Sequence, residues 1–382
     1  MEYWIWLKQI SGIGPVLEKR LLDRFQTPPA VYEACEEELL SVEGIGPTLA
    51  RVIRQHRSLD QARTLLEETL RQDIKLLSYH DPLYPALAKK SSEAPILLYY
   101  KGSIRENSTG VAIVGSRRCT DYGKQAAVEA AYFLAQNDIP VISGMAKGID
   151  GYAHTACLKA GGYTIAFLGN GVDICYPKEH DGLLAGIIEN GAVISEYPPG
   201  TRPRPEYFPE RNELISSWSH KVFVVEAAEN GGALITAGFA IAQGKEVRVL
   251  PHEINNVTGR GANRLILQGA HIYSHPSQLL PNFDLDHVSI TSANSLPAEN
   301  EDMSNLKRVD KSSEDLRKPD RHLSNTEKKI LFSLSFTPKT IEKISADTQI
   351  DQLQLIQVLS MMELEGLIRT YPGGRFAGHG GA

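Results

Sequence analysis

The sequence predicts an α/β core built on a doubly wound, mostly parallel sheet, with a helical domain before it and a small helix-and-hairpin domain after it. Three observations lead there. Between residues 111 and 273, short β-rich runs alternate with segments of helical period, the pattern of a parallel sheet covered on both faces. Glycine-rich turns follow most of those runs. The segments before residue 80 and after residue 322 carry helical periodicity instead. A chain of 382 residues has room for this many parts, at roughly 100–200 residues per domain.

Residues 1–80 form the first domain, predicted to be all α. Ile10-Ser11-Gly12-Ile13-Gly14-Pro15 recurs as Val42-Glu43-Gly44-Ile45-Gly46-Pro47, a period of 32 residues. Each Gly-x-Gly turn permits a tight bend and leaves amides exposed at a helix start. The pair resembles tandem helix-hairpin-helix (SAM-like) motifs, which grip a DNA phosphate through such amides. Arg51, Arg54 and Arg57 at three-residue spacing fit that role. They fit equally a solvated stripe on a purely architectural domain, and the acidic run Glu36-Glu37-Glu38 favours the second reading.

Residues 81–283 form the core. Pro82, Pro85 and Pro95 break a connector, and Ile96–Tyr100 is a predicted strand. Further runs follow at Val111–Val114, Ile139–Ile142, Thr164–Leu168, Ala192–Ile194, Val222–Val225, Val247–Leu250 and Ile272-Tyr273. Helical spacing intervenes, for example at Ala126–Leu134 and Ile235–Ala242. This is a Rossmann-like arrangement, in which ligands bind beyond the carboxyl ends of the strands.

The residues placed at those ends form a set. They are Gly115-Ser116-Arg117, Ser143-Gly144-Met145-Ala146-Lys147-Gly148-Ile149-Asp150, Tyr197-Pro198-Pro199-Gly200, Phe208-Pro209-Glu210-Arg211-Asn212, Gly231–Ala237 and Gly259-Arg260-Gly261-Ala262-Asn263. Glycines let a backbone approach a phosphate, and helix N-termini attract anions. Arg117, Lys147 and Arg211, with Arg202, Arg204 and Arg260 as further candidates, bring positive charge to the same rim. Anion or phosphate binding is the expectation. Asn212 and Thr236 have capping as their competing role, and for Asp150 loop bracing is favoured.

Residues 284–321 are rich in Ser, Asn, Pro and charge, and too poor in apolar residues to offset the entropy of ordering. They are expected to be a flexible linker, and they hold −3 of the formal net charge of −6. The core carries only −1, so the acidic balance excludes coating of nucleic acid by the whole surface but not a local groove. Residues 322–382 follow. Leu323–Glu327 offers a helix start, Thr340–Ser345 and Leu353–Leu364 two more helices, and Leu367–Phe376 a hairpin, together resembling a winged helix. Its candidate reader helix, Gln352–Glu365, has no Lys or Arg, which favours a protein partner over duplex reading.

Several chemistries are unsupported. There is no G-x-x-x-x-G-K-[ST] and no G-x-G-x-x-G after the first core strand. The four cysteines are scattered without metal-ligand spacing. His154 and His252 stand alone, and structural roles are expected for both. No cofactor, metal or catalytic constellation is implied. No apolar stretch reaches the ~20 residues of a membrane span, and a cytoplasmic location is expected.

Taken in order, GSR, SGMAKGID, YPPG, FPERN, GGALITA and GRGAN resemble the DNA-processing protein A (DprA/Smf) family, across the whole chain. The resemblance implies a protein without enzymatic activity that binds and protects single-stranded DNA and loads the RecA recombinase during natural transformation and homologous recombination. It also implies a homodimer through the core. Carried over by motif, Gly115, Ser116 and Arg117 touch the strand backbone, and Ser143, Gly144, Lys147 and Gly148 line the next phosphate position. Arg204, Arg211 and Asn212 complete the pocket, Phe208 stacks on a base, and Gly232, Thr236, Gly261 and Asn263 belong to the remaining loops. Two departures stand out: Gly231-Gly232-Ala233 replaces Ser-Gly-Ser, leaving only backbone donors there, and His252 follows Pro251 where the family usually has glycine. The alternative is a nucleotide phosphoribohydrolase-like enzyme of the lysine-decarboxylase-like group, with Gly231, Gly232 and Thr236 as its loop and Glu226 as acid. A third reading, an adaptor acting through the winged helix, leaves the rim glycines unexplained.

Overall fold

The computed structural model describes residues 1–281, 325–334, 339–352, 355, 358–359, 362, 367–371 and 375–378. The expected linker, 284–321, lies outside the described residues. The chain divides into two compact units, Met1–Ser292 and Ala293–Ala382.

In the first unit, six helices come first: α1 (Glu2–Lys8), α2 (Pro15–Phe25), α3 (Pro28–Glu33), α4 (Glu36–Leu40), α5 (Pro47–Gln55) and α6 (Asp60–Arg71). The two sequence repeats are geometrically equivalent. Gly12 and Gly44 adopt φ of +85° and +91°, a left-handed turn that glycine reaches without strain. Gly14 and Gly46 then cap α2 and α5, with Pro15 and Pro47 in the first helical turn, where a missing N–H costs nothing.

The sheet follows. Its elements are β1 (Lys75–Ser78), α7 (Ala86–Lys89), β2 (Leu97–Gly102), β3 (Gly110–Gly115), α8 (Asp121–Gln136), β4 (Val141–Ser143), α9 (Ile149–Lys159), β5 (Thr164–Leu168), α10 (Asp181–Asn190), β6 (Gly191–Ser195), α11 (Tyr207–Ser217), β7 (Ser219–Glu226), α12 (Gly232–Ala242), β8 (Glu246–Val249), α13 (Arg260–Leu267) and β9 (His271–Ile272). The strand order is β1-β2-β6-β5-β4-β3-β7-β8-β9. Pairing from β6 through to β9 is parallel; β1 and β2 are antiparallel additions at one edge. Strand β1 corrects the boundary expected at residue 80: the sheet begins inside the segment assigned to the helical domain.

Alternation along the strands sorts the core into layers. Leu98, Ala112, Val114 and Ile194 face the side packed by Leu214, Trp218 and Ala237 of the α11 and α12 region. Val111 and Ile113 face Ala127, Ala130 and Ala153 of α8 and α9. On that second side, Leu97, Tyr99 and Val193 pack instead with Ile5, Leu21 and Ile53. The helical domain therefore covers the part of the sheet that α8 and α9 do not reach.

The second unit contains α14 (Asn325–Ser333), β10 (Lys339–Thr340), α15 (Ile341–Thr348), β11 (Ile368–Tyr371) and β12 (Arg375–Gly378). The expected hairpin is present as β11 against β12, with β10 added on the far side of β12. Ile330, Ile344, Leu355, Leu359, Met362 and Ile368 form its core. This is a winged-helix fold. The candidate reader helix lies mostly outside the described residues.

Candidate functional site

Chain order moves from β3 outward through β4, β5 and β6, then returns to the other side of β3 with β7. That reversal makes β3/β7 the topological switch point, where the loops leaving the two strands diverge and leave a crevice. The register sharpens it. Gly115 pairs with Glu226, and the ladder slips between Val114 and Gly115, an irregularity that re-aims the strand ends.

A cavity of about 620 Å³ opens there, within the range of ligand sites. Gly115, Ser116 and Arg117 line it from the β3 side, and Glu226, Gly232 and Thr236 from the β7 side. Arg204, Phe208, Arg211 and Asn212 close it. The last three stand on the first turns of α11, at the i, i+3 and i+4 positions that share one helix face.

Arg211 dominates the electrostatics. Only 5 % exposed, it donates from Nη1 to the Phe167 carbonyl at 3.2 Å, while its Nε has no partner. Burial pushes its pKa below the ordinary value; Asp150 opposes that and Arg117 adds to it. Arg117 is exposed. The two guanidinium carbons each lie 5.6 Å from the Phe208 ring centroid, so cations flank the expected stacking platform. A second space of about 70 Å³, lined by Gly144, Lys147 and Tyr176, shares Phe208 and both arginines with the first. Tyr176 was missed by the sequence reading, although Gly169, Gly171, Lys178 and Glu179 flank it and could have marked the 169–181 loop.

The helix N-termini at this rim are not alike. In α9, the Ile149 N–H donates to the Ser116 carbonyl at 3.2 Å. Asp150 Oδ2 accepts from the Gly144 and Ala146 amides at 3.2 and 3.4 Å. The SGMAKGID loop is thus braced on itself, with Asp150 as its brace. At α12, by contrast, Gly231, Gly232 and Ala233 line the large cavity, at a helix start whose first amides lack intrahelical acceptors.

Several expected contacts belong elsewhere. Ser143 is fully buried and donates its hydroxyl to the Ile113 carbonyl at 2.6 Å. Gly148 caps α9 with φ +78°, and a side chain there would overlap the Ser116 carbonyl. Gly261 packs against the Ala228 carbonyl. Asn263 grips the backbone of His252, accepting from its N–H at 3.0 Å and donating to its carbonyl at 2.9 Å. Lys147 is exposed and paired with Glu179 at 2.8 Å. Arg202 and Arg260 are exposed and line neither cavity. Ser116 bonds both backbone groups of Arg118, and the Asn212 amide donates to the Gly232 carbonyl at 3.3 Å.

The lone histidines are structural. His154 is buried, hydrogen-bonded to Thr164 at 2.7 Å, and burial pushes its pKa down to about 3. His252 bonds the Val225 carbonyl through Nε2 at 2.8 Å. Among the described residues no His/Cys/Asp/Glu group is arranged to hold a metal, and no helix is long and apolar enough to cross a membrane.

The first hairpin faces acid. Gly14 and Pro15 at the start of α2 share a cavity of about 340 Å³ with Glu93, Glu196, Glu210 and Glu213, a poor setting for phosphate. Arg54 is paired with Glu36 at 2.6 Å, and Arg57 bonds the Ala34 carbonyl beside the Tyr32 ring.

Comparison with known proteins is decisive at this point. A family model described as DNA recombination-mediator protein A matches residues 75–284. The chain belongs to that family. Models for a SAM-like helix-hairpin-helix tandem and a DprA winged-helix domain match residues 7–71 and 314–374. Protein Smf of Synechocystis is 32% identical, covering 98% of each chain. DNA processing protein DprA of Streptococcus pneumoniae is 37% identical over 56% of this chain and 76% of the relative. The X-ray structure of DprA from the same organism superposes with a TM-score of 0.66 at 31% identity, covering 74% of this chain and 98% of that one.

Proposed function

We propose that this protein binds single-stranded DNA in the cavity between the ends of β3 and β7. There it protects the strand and delivers it to a RecA recombinase, in the cytoplasm, during recombination and natural transformation. One observation carries the reading: a buried guanidinium, Arg211, lines the cavity beside the exposed Arg117. Backbone phosphate satisfies such a group, and an aromatic ring next to it suits a base without selecting sequence. The open amides of α12 add a second phosphate attraction.

The protein acts as a homodimer through the core in this proposal. Ile241, Leu267 and Ile272 are 53%, 88% and 51% exposed near the β9 edge, where the sheet ends with one side unpaired. Leu267→Glu should yield a monomer in sedimentation.

The test of the function is a salt-titrated gel shift with single-stranded and duplex DNA. Wild type should prefer the single strand. Arg117→Ala should weaken it several-fold and lower the salt slope by about 0.7 for each phosphate lost. Unchanged binding at moderate salt would sink the assignment. Release of free base from nucleoside monophosphates would favour the phosphoribohydrolase-like enzyme instead.

A further inference from the structure

Outside the cavity, one exposed patch repeats its chemistry. Within the cavity, Arg117 and Arg211 flank the Phe208 ring. Outside it, Tyr152 of α9 is 37% exposed, and Lys124 of α8 brings its Nζ to 4.9 Å from the centroid of the Tyr152 ring. A cation against an exposed aromatic ring suits a nucleotide, with phosphate at the ammonium and a base on the ring.

The patch is continuous with the site. Gly148, the N-cap of α9, lies so close to the Arg117 backbone that a Cβ there would stand 2.8 Å from the Arg117 carbonyl carbon. One turn further on, the Tyr152 N–H donates to the Gly148 carbonyl at 3.0 Å. Lys124 is also one turn into its helix, its N–H donating to the Thr120 carbonyl at 2.9 Å. Between Arg117 and α8, the Ser116 hydroxyl bonds both backbone groups of the exposed Arg118, which fixes the turn there. Among the described residues, no carboxylate forms an ion pair with Arg117, Arg118 or Lys124. Asp121 is the acid in the first turn of α8, so three cations outweigh it, a balance that attracts a polyanion.

We propose that Lys124 and Tyr152 form a second nucleotide-binding position, outside the cavity, for single-stranded DNA that leaves it past Arg117 and Arg118. The continuing strand is the occupant because the patch adjoins the Arg117 side of the cavity and carries the charge that a phosphate backbone needs. Stacking on tyrosine accepts every base, so this position lengthens the grip without reading sequence. The inference rests on the single-strand reading above and adds a dependence on length. Short strands fill the cavity alone, and longer ones reach Tyr152 as well.

The experiment is equilibrium binding of the full chain to oligo-dT of graded length, from about 4 to about 16 nucleotides, the range of site sizes in single-strand-binding folds. The proteins are wild type, Tyr152→Ala, Tyr152→Phe, Lys124→Ala and Arg117→Ala. Tyr152→Ala should bind the longest strand about tenfold more weakly, the loss of one stacked base, and the shortest strand as tightly as wild type. Tyr152→Phe keeps the ring and should restore the long-strand affinity. Lys124→Ala should weaken long strands only, with a salt slope lower by about 0.7. Arg117→Ala should weaken every length. If Tyr152→Ala loses affinity equally at all lengths, the ring acts through the cavity and the proposal is overturned. Loss at no length overturns it too, and a changed sedimentation of that variant would then make the patch a contact with a second copy. An iodouracil-bearing long strand should photo-cross-link to Tyr152 in wild type; adducts confined to cavity residues overturn the proposal even if the alanine variant does not fold. Wild type that binds no strand at all refutes the single-strand reading itself.

Discussion

The guanidinium of Arg211 occupies the space where a side chain at Gly144 would stand, with Asp150 Oδ2 2.9 Å from the same point. Gly144 is therefore a seat for the arginine. Its amide also donates to Asp150, so one glycine positions both the cation and its counter-charge. Gly144→Ala should push Arg211 off its seat. Single-strand affinity should fall about tenfold, the loss of a charge-assisted hydrogen bond. Overpacking should cost 1–3 kcal/mol of stability, as order of magnitude. Gel shift and thermal melting check the two effects, and intact affinity would show that Arg211 is not needed for the strand.

Much of this was legible in the sequence, for a physical reason. Strands buried on both faces appear as continuous apolar runs, and Val111–Val114 through Val247–Leu250 stand out as such. Strand β1 did not stand out, because Lys75–Ser78 is four residues long and has two buried positions; only its antiparallel pairing with β2 defines it. The site was half legible. Glycines and arginines marked the right strand ends. Which amides are already spent, as Asp150 spends those of Gly144 and Ala146, depends on loop geometry that residue type does not encode.

Ser143 and Asn263 separate structural from binding roles. The Ser143 hydroxyl is inside the sheet, and Asn263 holds His252. Ser143→Ala and Asn263→Ala should each destabilise the core by about 1–2 kcal/mol through a lost buried or semi-buried hydrogen bond. Affinity for single strands should stay within twofold of wild type. A large loss of affinity with an unchanged melting temperature would return these residues to the site.

The helical domain cannot be removed cleanly. Beginning the chain at Asp81 deletes β1 and uncovers Leu97, Tyr99 and Val193, which pack with Ile5, Leu21 and Ile53. The truncated chain should aggregate or melt far below wild type, so weak DNA binding by it would say nothing of the hairpins. Point changes are the better probe. Arg51→Ala combined with Arg54→Ala leaves that packing alone, and the acidic surroundings of α2 argue that binding should hardly change. A loss of tenfold or more would give the second hairpin a direct role.

The joint between helical domain and sheet should also be sensitive to pH. Lys8 Nζ lies 2.9 Å from Glu196 Oε1 and 3.4 Å from Glu18 Oε2. One ammonium meets two carboxylates, and Glu196 is the nearer. Burial, with the Glu196 charge adding to it and Lys8 opposing it, pushes the Glu18 pKa up to about 7. The folded chain thus binds this proton more tightly than the unfolded chain, whose glutamate titrates near its ordinary value of 4.5. The stabilisation is complete below pH 4.5 and is lost as pH rises through about 7. Its size is about 3 kcal/mol, at 1.36 kcal/mol for each tenfold change in proton affinity. Glu18→Gln keeps a neutral, similarly shaped side chain at every pH. Urea midpoints followed by tryptophan fluorescence, with Trp4 and Trp6 in α1, should fall between pH 5 and pH 8 more steeply for wild type than for the variant. Parallel curves would mean that Glu18 stays ionised beside Lys8 and that the pair is an ordinary ion bridge.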